Sequence, residues 1–288
     1  MATAAAIIIS GIVGPMLTAA SAAGGLAIQA TGNGRFDISV DGTVWFHGGN
    51  VSVTIGGKLF TSGDGSLVAD GALSKSTGSD LLGAYTSMAQ KWKADGTPYA
   101  TSVRLYQKTD AGSFAIFEQS NPSGAEGTMH TGRGDISSCF PSIDPSPADG
   151  EPRGFVSWQG RFLEASRGGE WDSSWNNGPG VGTGDGAGPF VVFGEPMSQS
   201  LVFSMASNFM TLTPGSTPAP NDRSFCFGLD APVASVPAGY SLETMVFLGT
   251  GVNAAMKDFG TTLLAKYETV RPVDYTREWL GFSTDNGV

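Results

Sequence analysis

Residues 85–106 read YTSMAQKWKADGTPYATSVRLY, and this stretch decides between a helical and a β-rich fold. Its first part leaves both structures open, because apolar residues such as Met88 and Trp92 recur at helical spacing. The Asp95-Gly96 pair then favours a tight turn, and Ala100–Tyr106 alternates in polarity as a half-buried strand does. We therefore predict a long β-hairpin over Tyr85–Tyr106, with its turn at Asp95-Gly96.

Short apolar runs separated by turn residues lie on both sides of this hairpin. Asp41-Gly42 and Gly56-Gly57 each separate two such runs, as in two-residue hairpin turns. With 42 glycines and 16 prolines among 288 residues, the chain is suited to many short strands joined by turns. The predicted strands are Phe36–Val40, Val51–Ile55, Lys58–Phe60, Phe114–Glu118, Phe155–Gln159, Phe190–Phe193, Leu201–Phe203 and Thr244–Leu248.

Helix and loop signals are confined to a few segments. Apolar residues at three-to-four-residue spacing predict one helix over Val252–Tyr267, with Asn253 as its cap and Pro272 preventing its continuation. Ser142–Arg153, rich in Pro and Asp, and Trp171–Pro189, rich in Gly, are predicted loops. The sequence thus predicts one extended β unit, a single helix and a short tail.

Composition and charge exclude several classes of function. Charged residues make up only 15% of the chain and hydrophobic residues 40%, which argues against a disordered protein. A net charge of −10 argues against nucleic acid as a partner, and without a basic run no membrane partner is expected. Residues 1–23 are apolar and end in small residues, which predicts a signal peptide and a secreted protein. The alternative is a misassigned start, since no Lys or Arg precedes the apolar stretch.

Few residues offer metal or covalent chemistry. Cys139 and Cys226 form a disulfide or remain free thiols, and their spacing leaves both possibilities open. Asn50-Val51-Ser52 is a glycosylation sequon, which matters only in a eukaryotic secretory pathway. The histidines, His47 and His130, are isolated in sequence, so we expect neither a metal site nor a cofactor.

Aromatic and acidic residues concentrate at the second predicted loop. Trp171, Asp172 and Trp175 lie close together in sequence there. Carbohydrate sites combine aromatic faces, which cover sugar C–H surfaces, with carboxylates that bind hydroxyl groups. These three residues are therefore predicted substrate contacts, and the alternative is that the tryptophans fill the core and the carboxylate is solvated.

An ordered series of short motifs runs through the carboxy-terminal third of the chain. Its members are Asn208-Phe209-Met210, Val236-Pro237-Ala238-Gly239-Tyr240, Gly249–Asn253, Phe259-Gly260 and Leu280-Gly281-Phe282-Ser283-Thr284-Asp285-Asn286-Gly287. This series resembles a group of eukaryotic glycoside-hydrolase-like proteins related in plan to the raffinose-synthase and α-galactosidase enzymes. The resemblance covers roughly residues 30–288 and departs from the group at Phe282-Ser283, where the group has Tyr-Trp.

The resemblance implies a large antiparallel β-sandwich of the galactose-mutarotase-like kind over residues 24–250. It also implies a linker-helix region at 251–275 and, at 276–288, the first strand of a truncated (β/α)₈ barrel. Barrel enzymes carry their sites on the loops after the strands, so Asp285 and Asn286 are implied substrate contacts. In the group the catalytic carboxylates come from later strands, so no catalytic residue is assigned and this chain alone is expected to be inactive.

These features predict a non-catalytic amino-terminal domain of a carbohydrate-active enzyme acting on α-linked sugars. Its expected partners are carbohydrate and the missing barrel domain. One alternative is a stand-alone secreted carbohydrate-binding module. Another is a structural or adhesion domain, for which the sequence offers only the tripeptide Arg133-Gly134-Asp135.

Overall fold

A computed structural model of the protein describes residues 17–19, 25–107, 113–131, 136–159, 165–171, 187–194, 198–270 and 273. Within these residues, a seven-stranded and a ten-stranded sheet pack face to face, with two small sheets beside them. This confirms the predicted fold class, a mainly β antiparallel sandwich followed by one helix. The predicted barrel strand lies outside the described residues.

The strands are numbered in chain order. They are β1 (Leu17–Ala19), β2 (Leu26–Ala30), β3 (Phe36–Val40), β4 (Thr43–Gly48), β5 (Ser52–Ile55), β6 (Lys58–Thr61), β7 (Leu67–Ala69), β8 (Ser74–Asp80), β9 (Gly83–Ala94), β10 (Thr97–Gln107), β11 (Ser113–Asn121), β12 (Ala125–Glu126), β13 (Ser138–Cys139), β14 (Ser142–Pro147), β15 (Arg153–Gln159), β16 (Ala165–Trp171), β17 (Ala187–Phe193), β18 (Ser200–Met205), β19 (Leu212–Ser216), β20 (Phe225–Leu229), β21 (Ser235–Val236) and β22 (Tyr240–Gly249). The order in the seven-stranded sheet is β1-β2-β3-β4-β14-β20-β19, and in the ten-stranded sheet it is β16-β15-β17-β18-β22-β11-β10-β9-β7, with β8 also paired to β9.

The predicted hairpins form at the predicted turns. Strands β9 and β10 pair from Ala94↔Thr97 outward, and Asp95 and Gly96 between them have φ of 49° and 83°. Positive φ at both central residues is the type I′ geometry, which matches the twist of the flanking strands. Asp41-Gly42 adopts the same positive φ between β3 and β4, and Gly56-Gly57 does so between β5 and β6.

The main hydrophobic core fills the space between the two large sheets. Along β3 the buried and half-buried residues alternate, so that Phe36 and Ile38 face the core. Aromatic rings join the sheets: Phe36 packs on Phe117 of β11, and Phe46 of β4 packs on Phe203 of β18. Burying a side chain of this size contributes about 1.5–3 kcal/mol to stability, so these rings stabilise the packing of the two sheets.

The one helix among the described residues, α1 (Val252–Lys266), covers the outer face of the ten-stranded sheet. Its residues Ala255 and Phe259 join a second hydrophobic cluster with Phe247 of β22. The predicted cap at Asn253 is wrong, because Gly251 occupies the N-cap position and no side chain bonds to the helix start. The helix also ends one residue before the predicted boundary.

Both predicted loops contain strands at their ends. Residues Ser142–Pro147 of the first loop form β14, which pairs with β4 and β20 despite its prolines and aspartate. Trp171 ends β16, and Ala187–Phe193, overlapping the end of the second loop, form β17. Prolines are tolerated in β14 because its ladder is irregular, with a register shift between Ile143 and Pro147.

Two findings concern the amino terminus and membranes. Strand β1, which lies within the predicted signal peptide, pairs with β2 at the edge of the seven-stranded sheet. In the part of the chain that the structure describes, no helix combines the length and apolar character needed to cross a membrane.

Candidate functional site: a polar cleft at one end of the seven-stranded sheet

A polar cleft of about 800 Å³ opens where β4, β14 and the β19–β20 connection meet. This volume is within the range of small-molecule binding sites. Its lining comes from segments far apart in sequence: Arg35, His47–Asn50, Thr61 with Gly63 and Asp64, Asp144–Ser146 and Ala219–Ser224. Among the described residues that line it, none is Phe, Tyr or Trp, so ligand recognition rests on hydrogen bonds and charge.

The floor of the cleft depends on a close approach at Gly49. The Gly49 amide donates to the carbonyl of Ser142 at 2.9 Å, which links the end of β4 to β14. A side-chain carbon on Gly49 would lie 2.4 Å from the hydroxyl oxygens of Ser142 and Ser224, closer than a Cβ atom approaches a non-bonded oxygen. Ser224 is 5% exposed, and its hydroxyl forms no hydrogen bond with another described residue. The floor therefore offers a buried hydroxyl group to a ligand.

Three aspartates line the cleft, and each is anchored by a tight turn. One carboxylate oxygen of Asp64, Asp144 and Asp222 accepts the backbone N–H two residues later, at 2.8–2.9 Å. The second oxygen of Asp222 accepts a 3.4 Å hydrogen bond from Asn50. Hydrogen bonds from the Ser66 side chain and backbone lower the pKa of the Asp64 carboxyl below its ordinary value. A general acid needs the opposite shift, so Asp64 is suited to accepting hydrogen bonds from hydroxyl groups.

Cationic and titratable groups complete the lining. Arg35 and Arg223 are exposed on the cleft surface, one before β3 and the other before β20. His47 lies directly opposite Asp37 on the adjacent strand, and its Nδ1 is 2.7 Å from the Asp37 carboxylate. That hydrogen bond fixes the orientation of the imidazole ring. The cleft thus presents donors and acceptors of both charges.

The structure places Trp171 behind the cleft, in the core. The Trp171 side chain is 3% exposed and its ring packs against Phe46 and Phe190, so a sugar has no access to its faces. This corrects the sequence prediction of Trp171 as a sugar contact. Its indole N–H donates to the carbonyl of Pro145 at 2.7 Å, and Pro145 lines the cleft. Trp171 therefore supports the cleft wall from the inside.

Of the other predicted site residues, some lie in or beside the cleft and others lie outside the described residues. Cys139 and Cys226 form a disulfide, which decides between the two alternatives left open by the sequence. Cys226 is paired in register with Ser142 beneath the cleft floor. Asn50 is part of the cleft lining, and its glycosylation stays a prediction. The residues outside the described part of the chain are Asp172, Trp175, Asp285 and Asn286.

A second cluster of charged side chains lies beside α1. Glu118 and Glu243 face each other on β11 and β22, and Arg104 forms ion pairs with both. Burial raises the pKa of Glu118, and the neighbouring Glu243 adds to this while Arg104 opposes it. Lys266 of α1 binds Glu243 at 2.6 Å. Although glycosidases use a carboxylate pair, these carboxylates form ion pairs with Arg104 and Lys266, and Lys266 links the helix to the sheet.

Neither the polar cleft nor the charged cluster around Glu118 and Glu243 was identified from the sequence. The cleft residues are single polar side chains beside turns, a pattern that is common on any protein surface. Within the described residues, no group of three or more His, Cys, Asp or Glu side chains is arranged to hold a metal ion.

Comparison of the sequence with known protein families and with curated proteins finds no match. In structure, the chain is similar to the α-N-acetylgalactosaminidase NagBb from Bifidobacterium bifidum, with a TM-score of 0.47, 10% identity, and coverage of 86% of this chain and 38% of that one. It is also similar to a Glycoside Hydrolase Family 97 enzyme in complex with acarbose from Pseudoalteromonas sp. strain K8, with a TM-score of 0.46, 8% identity, and coverage of 78% and 34%. The chain therefore spans between a third and two fifths of the length of two glycoside hydrolases to which part of it is similar.

Proposed function

We propose that this chain is a secreted, non-catalytic carbohydrate-binding domain of a carbohydrate-active enzyme, and that its polar cleft contacts the sugar. The observation that carries the proposal is the cleft itself, which combines carboxylates, an amide, a buried hydroxyl and guanidinium groups in about 800 Å³. Sugar hydroxyl groups both donate and accept hydrogen bonds, so a mixed lining of this kind suits them.

The finer relationship is proposed from the ordered motifs of the sequence. They support a place near the raffinose-synthase and α-galactosidase group, with the sandwich preceding a barrel that carries catalysis. Exposed apolar side chains support a further domain beyond α1. Val270 and Val273 follow the helix, and Phe209, itself half exposed, packs against Tyr267, the residue after the helix. Exposed apolar patches mark interaction surfaces.

Export from the cytosol is supported by the Cys139–Cys226 disulfide. Disulfides persist in oxidising compartments and are rare in the cytosol. The predicted signal peptide agrees with this location. Asp285, Asn286, Asp172 and Trp175 remain proposed sugar contacts of the complete protein.

Sugar binding at the cleft is tested with the Ser224→Ala variant. This change removes the buried floor hydroxyl, which has no hydrogen-bond partner among the described residues, so the fold should be retained. A neutral hydrogen bond contributes about 0.5–1.5 kcal/mol, so we expect binding to weaken roughly 2-fold to 10-fold. The measurement is a glycan array with the intact chain, followed by calorimetry on the best glycan. Ser166→Ala, at an exposed position on β16, is the matched control and should bind like the parent chain. If no glycan on the array binds, or if Ser224→Ala binds as tightly as Ser166→Ala, the cleft is not the sugar site.

We expect no glycosidase turnover from the purified chain on aryl α- or β-glycosides. Both hydrolytic mechanisms need two carboxylates placed at the scissile bond, and the Glu118–Glu243 pair is neutralised by Arg104 and Lys266. Release of nitrophenol is the readout. Activity that persists through repurification and is lost in Glu118→Gln would assign catalysis to this domain and contradict the proposal.

A further inference from the structure

Arg35 and Arg223 are cations in the wall of the polar cleft without an ion-pair partner in the described part of the chain, in a protein whose net charge is −10. Among the described residues, no carboxylate lies within 4.0 Å of either guanidinium, and both line the polar cleft. We propose that the cleft binds sugars bearing an anionic group, a carboxylate as in hexuronic acids, held by Arg35 and Arg223. This inference rests on the proposed sugar-binding function and narrows its substrate class.

What distinguishes Arg35 and Arg223 is their position in the cleft, since Arg167 on β16 is also exposed without an ion pair to a described residue but lines neither depression. Two other arginines are paired. Arg104 forms ion pairs with three carboxylates, and Arg153 pairs with Asp149 while lying over the ring of Trp45. The planar guanidinium fork matches a carboxylate through two parallel hydrogen bonds. Arg35 and Arg223 keep this capacity for a ligand.

The three cleft aspartates oppose an anionic ligand, but their effect is the smaller one. Each of them already accepts a backbone hydrogen bond within its own turn. Physiological salt screens charges over about 8 Å, so one exposed charge that is not in direct contact changes affinity by about twofold or less. A charge-assisted hydrogen bond to a guanidinium changes affinity by roughly 10-fold to 100-fold. Contact with the arginines therefore outweighs repulsion by the aspartates.

His47 and Arg35 extend the site beyond the main cleft. Both also line a second depression of about 410 Å³, which includes Thr31, Asn33 and Asp37. Because Asp37 engages Nδ1 of His47, Nε2 is the ring nitrogen left for a ligand. Two adjoining depressions with a shared wall suit a chain of sugars, so an oligosaccharide is the appropriate probe.

The test is calorimetry of the full chain with two tetrasaccharides that differ only in charge. Tetragalacturonate carries carboxylates, and its fully methyl-esterified form has the same linkages without them. We expect the acid to bind at least 10-fold more tightly than the ester, with an affinity that falls as NaCl is raised. A sulfated κ-carrageenan tetrasaccharide, which has no carboxylate, distinguishes carboxylate from sulfate as the anion.

The variants Arg35→Gln and Arg223→Gln are each expected to weaken acid binding about 10-fold and ester binding by a smaller factor, because only the acid offers the guanidinium a charged partner. Arg167→Gln, at an exposed position on β16 outside both depressions, is the matched control and should leave binding unchanged. Circular dichroism checks that every variant is folded.

Equal affinity for acid and ester, or unchanged acid binding in both cleft variants, overturns this inference but leaves sugar binding in place. Tighter binding of the carrageenan than of the acid overturns the carboxylate assignment. Failure of all three tetrasaccharides and of every glycan on the array overturns both proposals.

Discussion

Replacing Gln119 with leucine is expected to lower the free energy of unfolding by about 3–5 kcal/mol, the result of leaving buried polar groups without partners. Gln119 is 2% exposed, in the core between the sheets. Its Nε2 donates to the carbonyls of Phe140 and Phe227, at 2.7 and 3.0 Å. Its Oε1 accepts hydrogen bonds from the hydroxyls of Tyr99 and Ser138, at 2.9 and 2.6 Å. Leucine fills the same space and bonds to none of these four groups. The Phe227 carbonyl keeps the Phe140 N–H as a partner, but the Phe140 carbonyl and the Tyr99 and Ser138 O–H donors lose theirs.

Urea unfolding of the variant and the parent chain provides the measurement. Gln107→Leu is the matched control. Gln107 is exposed at the end of β10, where water can replace its hydrogen bonds to the Leu26 carbonyl and from the Ser113 hydroxyl, so its loss should change stability by about 2 kcal/mol at most. A Gln119→Leu variant within 1 kcal/mol of the parent would mean that water or local rearrangement satisfies the four groups.

Removing the Cys139–Cys226 disulfide is expected to destabilise the chain by roughly 2–5 kcal/mol. The bond links residues separated by 87 positions, so its loss greatly increases the freedom of the unfolded chain. Both cysteines are fully buried, and alanine at both positions avoids burying new hydroxyl groups. Because Cys226 pairs with Ser142 beneath the cleft, weaker sugar binding should accompany the loss of stability.

The comparison is between the parent chain and Cys139→Ala/Cys226→Ala, each with and without reductant. Reductant should lower the unfolding midpoint of the parent and leave the double variant unchanged. If mass spectrometry confirms that the bond is reduced while the midpoint stays constant, the disulfide contributes little to the folded state.

The sequence predicted those parts of the fold that are determined locally. Asp95-Gly96 and Asp41-Gly42 form the expected turns because positive φ is a property of those residues and not of their surroundings. The helix was found by its apolar spacing, although its cap was not, because Gly251 ends the preceding turn with φ of 73°.

Features that depend on distant partners were not predictable in the same way. Strand β14 contains prolines and an aspartate and reads as a loop, yet it pairs with β4 and β20, strands about a hundred and eighty residues apart along the chain. Trp171 reads as a loop residue, and only the packing of β16 against the core makes it a buried support. The cleft brings together five separated segments, so its composition becomes visible only once the sheet order is known.

The position of Asn50 in the cleft has a practical consequence for the choice of expression host. The amide nitrogen to which an N-linked glycan would be attached is the atom that binds Asp222, and it lies against Gly63 in the cleft lining. A glycan there would occupy the space proposed for the ligand. Protein from a yeast or mammalian host would then be blocked by its own modification, and bacterial protein of the same sequence would be open. Enzymatic removal of the glycan from the eukaryotic preparation should make the two preparations equivalent in binding.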